Sequence, residues 1–251
     1  MIERHHIAGH EVEVLRVRGA GDGPTIVLLH EALGCISLWR DFPAQLAVAT
    51  GCEVVAWSRW GYGRSEPRPA PWSFDYHEME ATEAVPDLLS ALGIGQHVLW
   101  GHSDGATIAL LNAGLAPSPD LLGVISVAGH VVVEELSEME AMAEWWANGD
   151  LRDRLARHHD DPDTVYGEWM RIWTNPDFAD WDIRPQIEST LPTLVTQGQD
   201  DEYATPDHVA LITGAVGAQA VGHLIEGSGH HPMFDATEWV LEATAAFVRA
   251  L

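Results

Sequence analysis

The sequence predicts an α/β domain on a mostly parallel sheet with helices on both faces, and three observations carry that prediction. Short apolar runs alternate with longer helix-period segments from residue 25 almost to the end, the order that builds parallel sheets through crossover helices. Several runs, such as Thr25–Leu29, are apolar throughout, as strands covered on both faces are. His30, Ser58, Ser103, His130, Asp201 and His230 each fall just past a predicted strand end. A parallel sheet gathers those ends along one edge, where ligands bind.

Residues 11–17 alternate polar and apolar, an edge-type strand, and a Gly-rich turn leads from them to the strand at 25–29. A helix is expected over about 38–49, a strand over 52–57, and a proline-rich loop to Trp72. The next helix runs over about 75–92 with a kink at Pro86, whose missing N–H and ring disturb the preceding turn. Residues 98–100 read as a buried strand, 106–115 as its following helix and 123–128 as another strand. Residues 130–191 are acidic, helical in pattern and carry Trp145, Trp146, Trp169, Trp173 and Trp181. Strands at 193–196 and 220–225 and helices at 206–212 and 238–250 complete the alternation.

Composition narrows the function. A chain of 251 residues with 46% apolar content supports one substantial core. The net charge of −25 argues against nucleic acid, anionic membranes and polyanionic substrates. All 13 basic residues are arginine, which excludes a Schiff-base lysine, a lysine base and a Walker lysine. Cys35 and Cys52 form no CxxC pair and suit a reducing compartment. The charged first residues lack an apolar h-region, and no run reaches membrane-span length, so a cytoplasmic protein is expected. No Cys/His ligand spacing suggests a metal, and no cofactor is expected.

The run Gly101-His102-Ser103-Asp104-Gly105 sits between an apolar strand and a helix start. Strand, sharp turn and helix form the context of a nucleophile elbow, where a serine is held in a strained conformation with its hydroxyl exposed. With His30-Glu31-Ala32-Leu33-Gly34, Gly61-Tyr62-Gly63-Arg64-Ser65, Gly198-Gln199-Asp200-Asp201 and Gly229-His230-His231-Pro232, the chain resembles the α/β-hydrolases over residues 25 to 235. That resemblance implies an eight-stranded, mostly parallel sheet with an antiparallel second strand. It also implies a helical lid inserted after the sixth strand, so that residues 1–129 and 192–251 form the core and 130–191 the lid.

The resemblance further implies Ser103 as nucleophile, His230 as base and Asp201 as the acid that orients it, with His231 and Asp200 as adjacent competitors. Backbone N–H groups of Asp104 and Ala32 form the expected oxyanion hole. Glu31 stands where glycine is usual, so Leu33 is the reserve donor. Trp60 stands where the family often has arginine, and it is expected at the pocket or packed in its loop. Glu31, Leu33, Trp60, Trp145, Trp169, Trp173 and His231 are the pocket candidates. His102 is expected to pack under the elbow, and His5, His6, His158, His159, His208 and His223 to lie in solvent.

These features point to a serine hydrolase acting on an ester or lactone of a small neutral, apolar or aromatic molecule, as a monomer or homodimer. A hydrolase of C–C bonds in diketone acids is the alternative and would need a carboxylate-binding arginine, with Arg59, Arg64 and Arg171 as candidates. A small-molecule receptor on the same fold is the reading from a different class.

Overall fold

The computed structural model describes residues 2–134 and 138–251. Its sheet has eight strands: β1 (Ile2–Ile7), β2 (His10–Val17), β3 (Thr25–Leu29), β4 (Val54–Trp57), β5 (His97–His102), β6 (Leu121–Val127), β7 (Thr193–Gly198) and β8 (Ala220–Ile225). Their spatial order is β1-β2-β4-β3-β5-β6-β7-β8. β2 pairs antiparallel with β1 and β4, and every later pairing is parallel. This is the expected sheet with its antiparallel second strand. β1 has no counterpart in the sequence reading because five of its six side chains are polar or exposed and one edge is unpaired.

Side-chain alternation along the central strands divides the core into two layers. Val27, Leu29, Val55, Trp57 and Leu99 face the helices Val85–Leu92, Asp104–Leu115 and Asp207–Val216, meeting Leu88, Ile108 and Ile212. Ile26, Leu28, Val54, Ala56, Val98 and Trp100 face the helices Phe42–Thr50 and Thr237–Ala250 through Phe42, Leu46 and Val240.

The expected kink at Pro86 takes a specific form. A short α-turn (Tyr76–Met79) opens into a π-helical segment (Glu80–Ala84) before the helix Val85–Leu92. Proline cannot donate to the carbonyl one turn back and its ring crowds that turn, so the backbone widens just ahead of it. The buried Asn112 side chain donates to the Ala81 carbonyl at 2.8 Å, satisfying a group in the widened turn.

Between β6 and β7 the chain leaves the sheet for helices Glu138–Asn148, Leu151–Leu155 and Pro162–Trp173, followed by 3₁₀ turns. Residues 135–137 of the expected insertion lie outside the described residues. His159 ties this segment to the core. Its Nδ1 accepts the Gly63 N–H at 2.9 Å and its Nε2 bonds the Leu33 carbonyl at 3.0 Å. His159 and His208 are buried, contrary to the expectation of solvent-facing loops. No helix among the described residues is long and apolar enough to cross a membrane.

Candidate active site

β5 delivers Ser103 into a backbone conformation that L-residues rarely adopt, φ 53° and ψ −118°. The strain is held from both sides. Its N–H donates to the Val127 carbonyl on β6 at 2.9 Å, and its carbonyl accepts from Ala106 and Thr107 at 2.9 and 3.1 Å. The flanking glycines allow strand and helix to come this close. A Cβ on Gly101 would lie 2.1 Å from the Gly105 carbonyl oxygen, and one on Gly105 would lie 2.0 Å from that of Leu29. Both positions are therefore closed to any side chain.

His230 and Asp201 meet across the loops that follow β8 and β7. His230 Nδ1 lies 2.9 Å from each Asp201 carboxylate oxygen. Since a carboxylate only accepts, Nδ1 carries the proton and the neutral ring keeps its Nε2 lone pair. Burial drives the His230 pKa down to about 4 against the pull of Asp201, leaving the imidazole neutral and able to accept a proton at pH 7. Burial opposes ionisation of Asp201, but its bond to His230 and the Tyr203 N–H at 2.8 Å outweigh that and hold its pKa low. Asp200 makes no such contact: its backbone bonds Ser228, and His230 engages the next residue. His231 turns away from Asp201 and packs against Phe234 and His102.

Asp104, expected to contribute only its N–H, brings a buried carboxylate to the first turn after Ser103. It accepts from the Tyr76 hydroxyl at 2.8 Å, stands 3.2 Å from His77 Nε2 and 3.5 Å from Arg59 Nη2. Burial alone would raise its pKa, but His77 and Arg59 pull it well below the usual carboxylate range. Arg59, fully buried, donates to the Glu31 carbonyl at 3.1 Å, and its backbone N–H donates to His30 Nε2 at 3.1 Å. His30 Nδ1 in turn donates to the Glu31 carbonyl at 2.7 Å. Burial and Arg59 lower the His30 pKa to about 3, so it stays neutral. One polar network thus braces both the loop carrying Ala32 and the helix start carrying the Asp104 N–H.

A cavity of about 490 Å³ opens above these groups and is lined by Ser103, His230, Ala32 and Asp104. Its size falls within the ~300–1,000 Å³ of small-molecule sites. Glu31, Leu33, Trp145, Trp169, Trp173 and His231 also line it. Trp60 does not: it stacks on His10 at 3.5 Å and donates to the Pro67 carbonyl, so packing of its own loop accounts for it. The pocket candidates omitted His130, Met142 and Tyr203 and a basic wall of Arg40, Arg154 and Arg157 that also holds Asp150, and His158, expected in solvent, lines the cavity too. His130 had a signal, its place at the end of β6. Met142 and the basic wall had none, because helix packing alone brings them there. Arg59, Arg64 and Arg171, the arginines picked for a carboxylate, are instead bound to Asp104, Asp160 and Glu168 and lie outside the cavity lining.

The alpha/beta hydrolase fold family matches residues 24–161, more than half of the chain, and the protein belongs to that family. Within it, the chain is 38% identical to the serine hydrolase BPHL of Mus musculus over 128 residues, 50% of this chain and 43% of that protein. The match therefore spans less than half of that relative's length. It is 22% identical to the 2-hydroxy-6-oxo-6-phenylhexa-2,4-dienoate hydrolase of Comamonas testosteroni across 92% of this chain and 89% of that one. Among solved structures, the enol-lactonase of Burkholderia xenovorans LB400 superposes with a TM-score of 0.76 at 19% identity, covering 98% of this chain and 100% of the other.

Proposed function

We propose that this protein is a serine hydrolase that opens an ester or lactone of a small molecule through an acyl-enzyme. The observation that carries this reading is one cavity lined by both a strained serine and an aspartate-oriented, neutral histidine. Ser103 Oγ attacks the acyl carbon as His230 Nε2 takes its proton, and Asp201 stabilises the imidazolium that forms. The oxyanion accepts the N–H groups of Asp104 and Ala32. His230 then protonates the departing alkoxide, and water repeats the sequence to release the acid. Segment 130–191 acts as a lid on a core of residues 1–129 and 192–251, supplying the tryptophan wall.

A second reading, C–C hydrolysis of a diketone acid, has one observation in its favour. Arg40 and Arg157 bring cationic groups suited to a carboxylate to the cavity of this strongly acidic chain, whereas Arg154 is bound to Asp150 of the same lining, and the Comamonas relative's substrate is a dienoate. Turnover of a panel of p-nitrophenyl esters, lactones and diketone acids separates the readings. Labelling of Ser103 by a phosphonate, with ester turnover abolished in Ser103→Ala, is the result expected. Tight binding of panel members with no turnover would replace hydrolysis by a receptor role.

A further inference from the structure

Three side chains that hydrolysis does not use converge beside the reacting groups. Glu31 follows β3, His102 ends β5 and His231 lies in the loop after β8, and their Glu Oε and ring nitrogen atoms all lie within 4.8 Å of one another. His102 is buried, while Glu31 and His231 line the cavity.

The hydrogen bonding of His102 fixes what this cluster lacks. His102 Nε2 lies 2.8 Å from the His230 carbonyl, which can only accept, so Nε2 carries the proton. Nδ1 is the other ring position, and it faces Glu31 Oε2 at 3.4 Å. A proton on Nδ1 or a metal ion can bridge that gap. His231 brings a second imidazole to the same point, 5.0 Å from His102 between ring centroids. A proton serves a lone carboxylate–imidazole pair, but a His231 ring nitrogen within 4.8 Å of both makes up the donor set of an ion with several ligands.

We propose that Glu31, His102 and His231 bind a divalent transition ion of the zinc class. Two imidazoles and one carboxylate are a donor set for zinc-like ions, whereas calcium and magnesium prefer oxygen cages. In a tetrahedral zinc site, ligand atoms about 2.0–2.1 Å from the metal stand roughly 3.3 Å apart. Glu31 and His102 already have that spacing at 3.4 Å, and side-chain rotation of His231 closes the third edge. The His102–carbonyl bond is the outer-shell contact that orients a metal-binding imidazole. Three protein ligands leave a fourth position, and because Glu31 and His231 line the cavity, it faces the substrate space. Each ligand is the chain neighbour of a working group: Glu31 of Ala32, His102 of Ser103 and His231 of His230. The site is thereby placed to sense or control hydrolysis.

The test reads metal binding, not activity, so it stands or falls separately from the hydrolase reading. Chelator-treated protein is titrated with Zn²⁺ by calorimetry and with Co²⁺ by visible absorption, in wild type, Glu31→Gln, His231→Gln and a His5→Gln/His6→Gln control. One equivalent is expected in wild type and in the control, with a low-symmetry nitrogen-ligated Co²⁺ spectrum. Affinity should fall at least tenfold in either site variant, given that ~10–100-fold follows loss of even an outer-shell partner. Absence of stoichiometric uptake by wild type overturns the proposal, as does binding lost only in the His5/His6 control. If a site variant fails to fold, the wild-type Co²⁺ spectrum decides alone: an octahedral, oxygen-ligated spectrum counts against the site.

Discussion

The two walls of the cavity are built by opposite means. On the sheet side, each group given a part in the proposed chemistry is over-determined. Ser103 is pinned by β6 and its own helix, His230 by Asp201, and Asp104 by Tyr76, His77 and Arg59. On the inserted side, Trp145, Trp169 and Arg154 sit on helices with exposed ion pairs such as Arg154–Asp150 and Arg152–Asp163. Exposed pairs of this kind contribute little, because water screens them. The comparison teaches where accuracy is needed. A transition state demands donors fixed to fractions of an ångström, whereas a binding wall tolerates side chains that repack.

If that division holds, the largest losses come from the sheet side. Ser103→Ala and His230→Ala should each lower kcat/KM by at least ~10⁴-fold, and the double variant should be hardly worse, since residues of a catalytic triad act as a unit. Asp201→Asn should cost on the order of 10⁴-fold in kcat. Steady-state kinetics on the best ester decides this, and full activity in Asp201→Asn with loss in Asp200→Asn would move the acid by one position. Asp104→Asn should damage stability as well as rate. It leaves Arg59 buried beside a neutral amide, a change expected to cost about 3–5 kcal/mol, to be read from urea unfolding. An unchanged midpoint would show that the loop carbonyls alone satisfy Arg59.

The same division governs how much could be read from sequence. The buried strands are visible because parallel strands show as unbroken Val, Ile and Leu runs, and Ser103, Asp201 and His230 because family-like glycine motifs frame each one. What escaped was created by tertiary approach. The Arg59–Asp104–His77 network and the Glu31–His102–His231 cluster draw on residues far apart in the chain, so no local spacing announces them. His159 and His208 look like loop histidines, yet each is buried by bonding backbone groups of another element. Trp60 shows the converse, an aromatic in a motif loop whose partners are His10 and Arg68 rather than substrate.

Smaller effects are expected on the inserted side. Trp145, 37% exposed, with its indole N–H on Asp150 and its ring stacked by Arg154, should tolerate replacement by alanine with about 0.5–1 kcal/mol lost. The variant should change KM and the ranking of acyl groups while leaving kcat for the smallest ester nearly intact. A collapse of kcat across all substrates would mean that this wall also orients the reacting centre.

The last effect is one of pH dependence and lies at the seam between the two walls. His208 Nδ1 accepts the Val131 N–H at 3.3 Å, and its Nε2 faces Glu134 Oε2 at 3.4 Å. Burial, helped by neighbouring His130, lowers its pKa to about 4. Because the folded value lies below the unfolded one of about 6.5, neutral His208 contributes its full stability above that pH. The contribution disappears as the pH falls from about 6.5 toward 4, where the unfolded chain binds a proton that the folded chain refuses. His208→Gln removes the titration, so its unfolding midpoint should decline less steeply than wild type over that interval, measured by thermal melts at fixed ionic strength. Equal slopes would show that His208 takes up its proton alike in the folded and unfolded chain, and so contributes nothing to acid sensitivity.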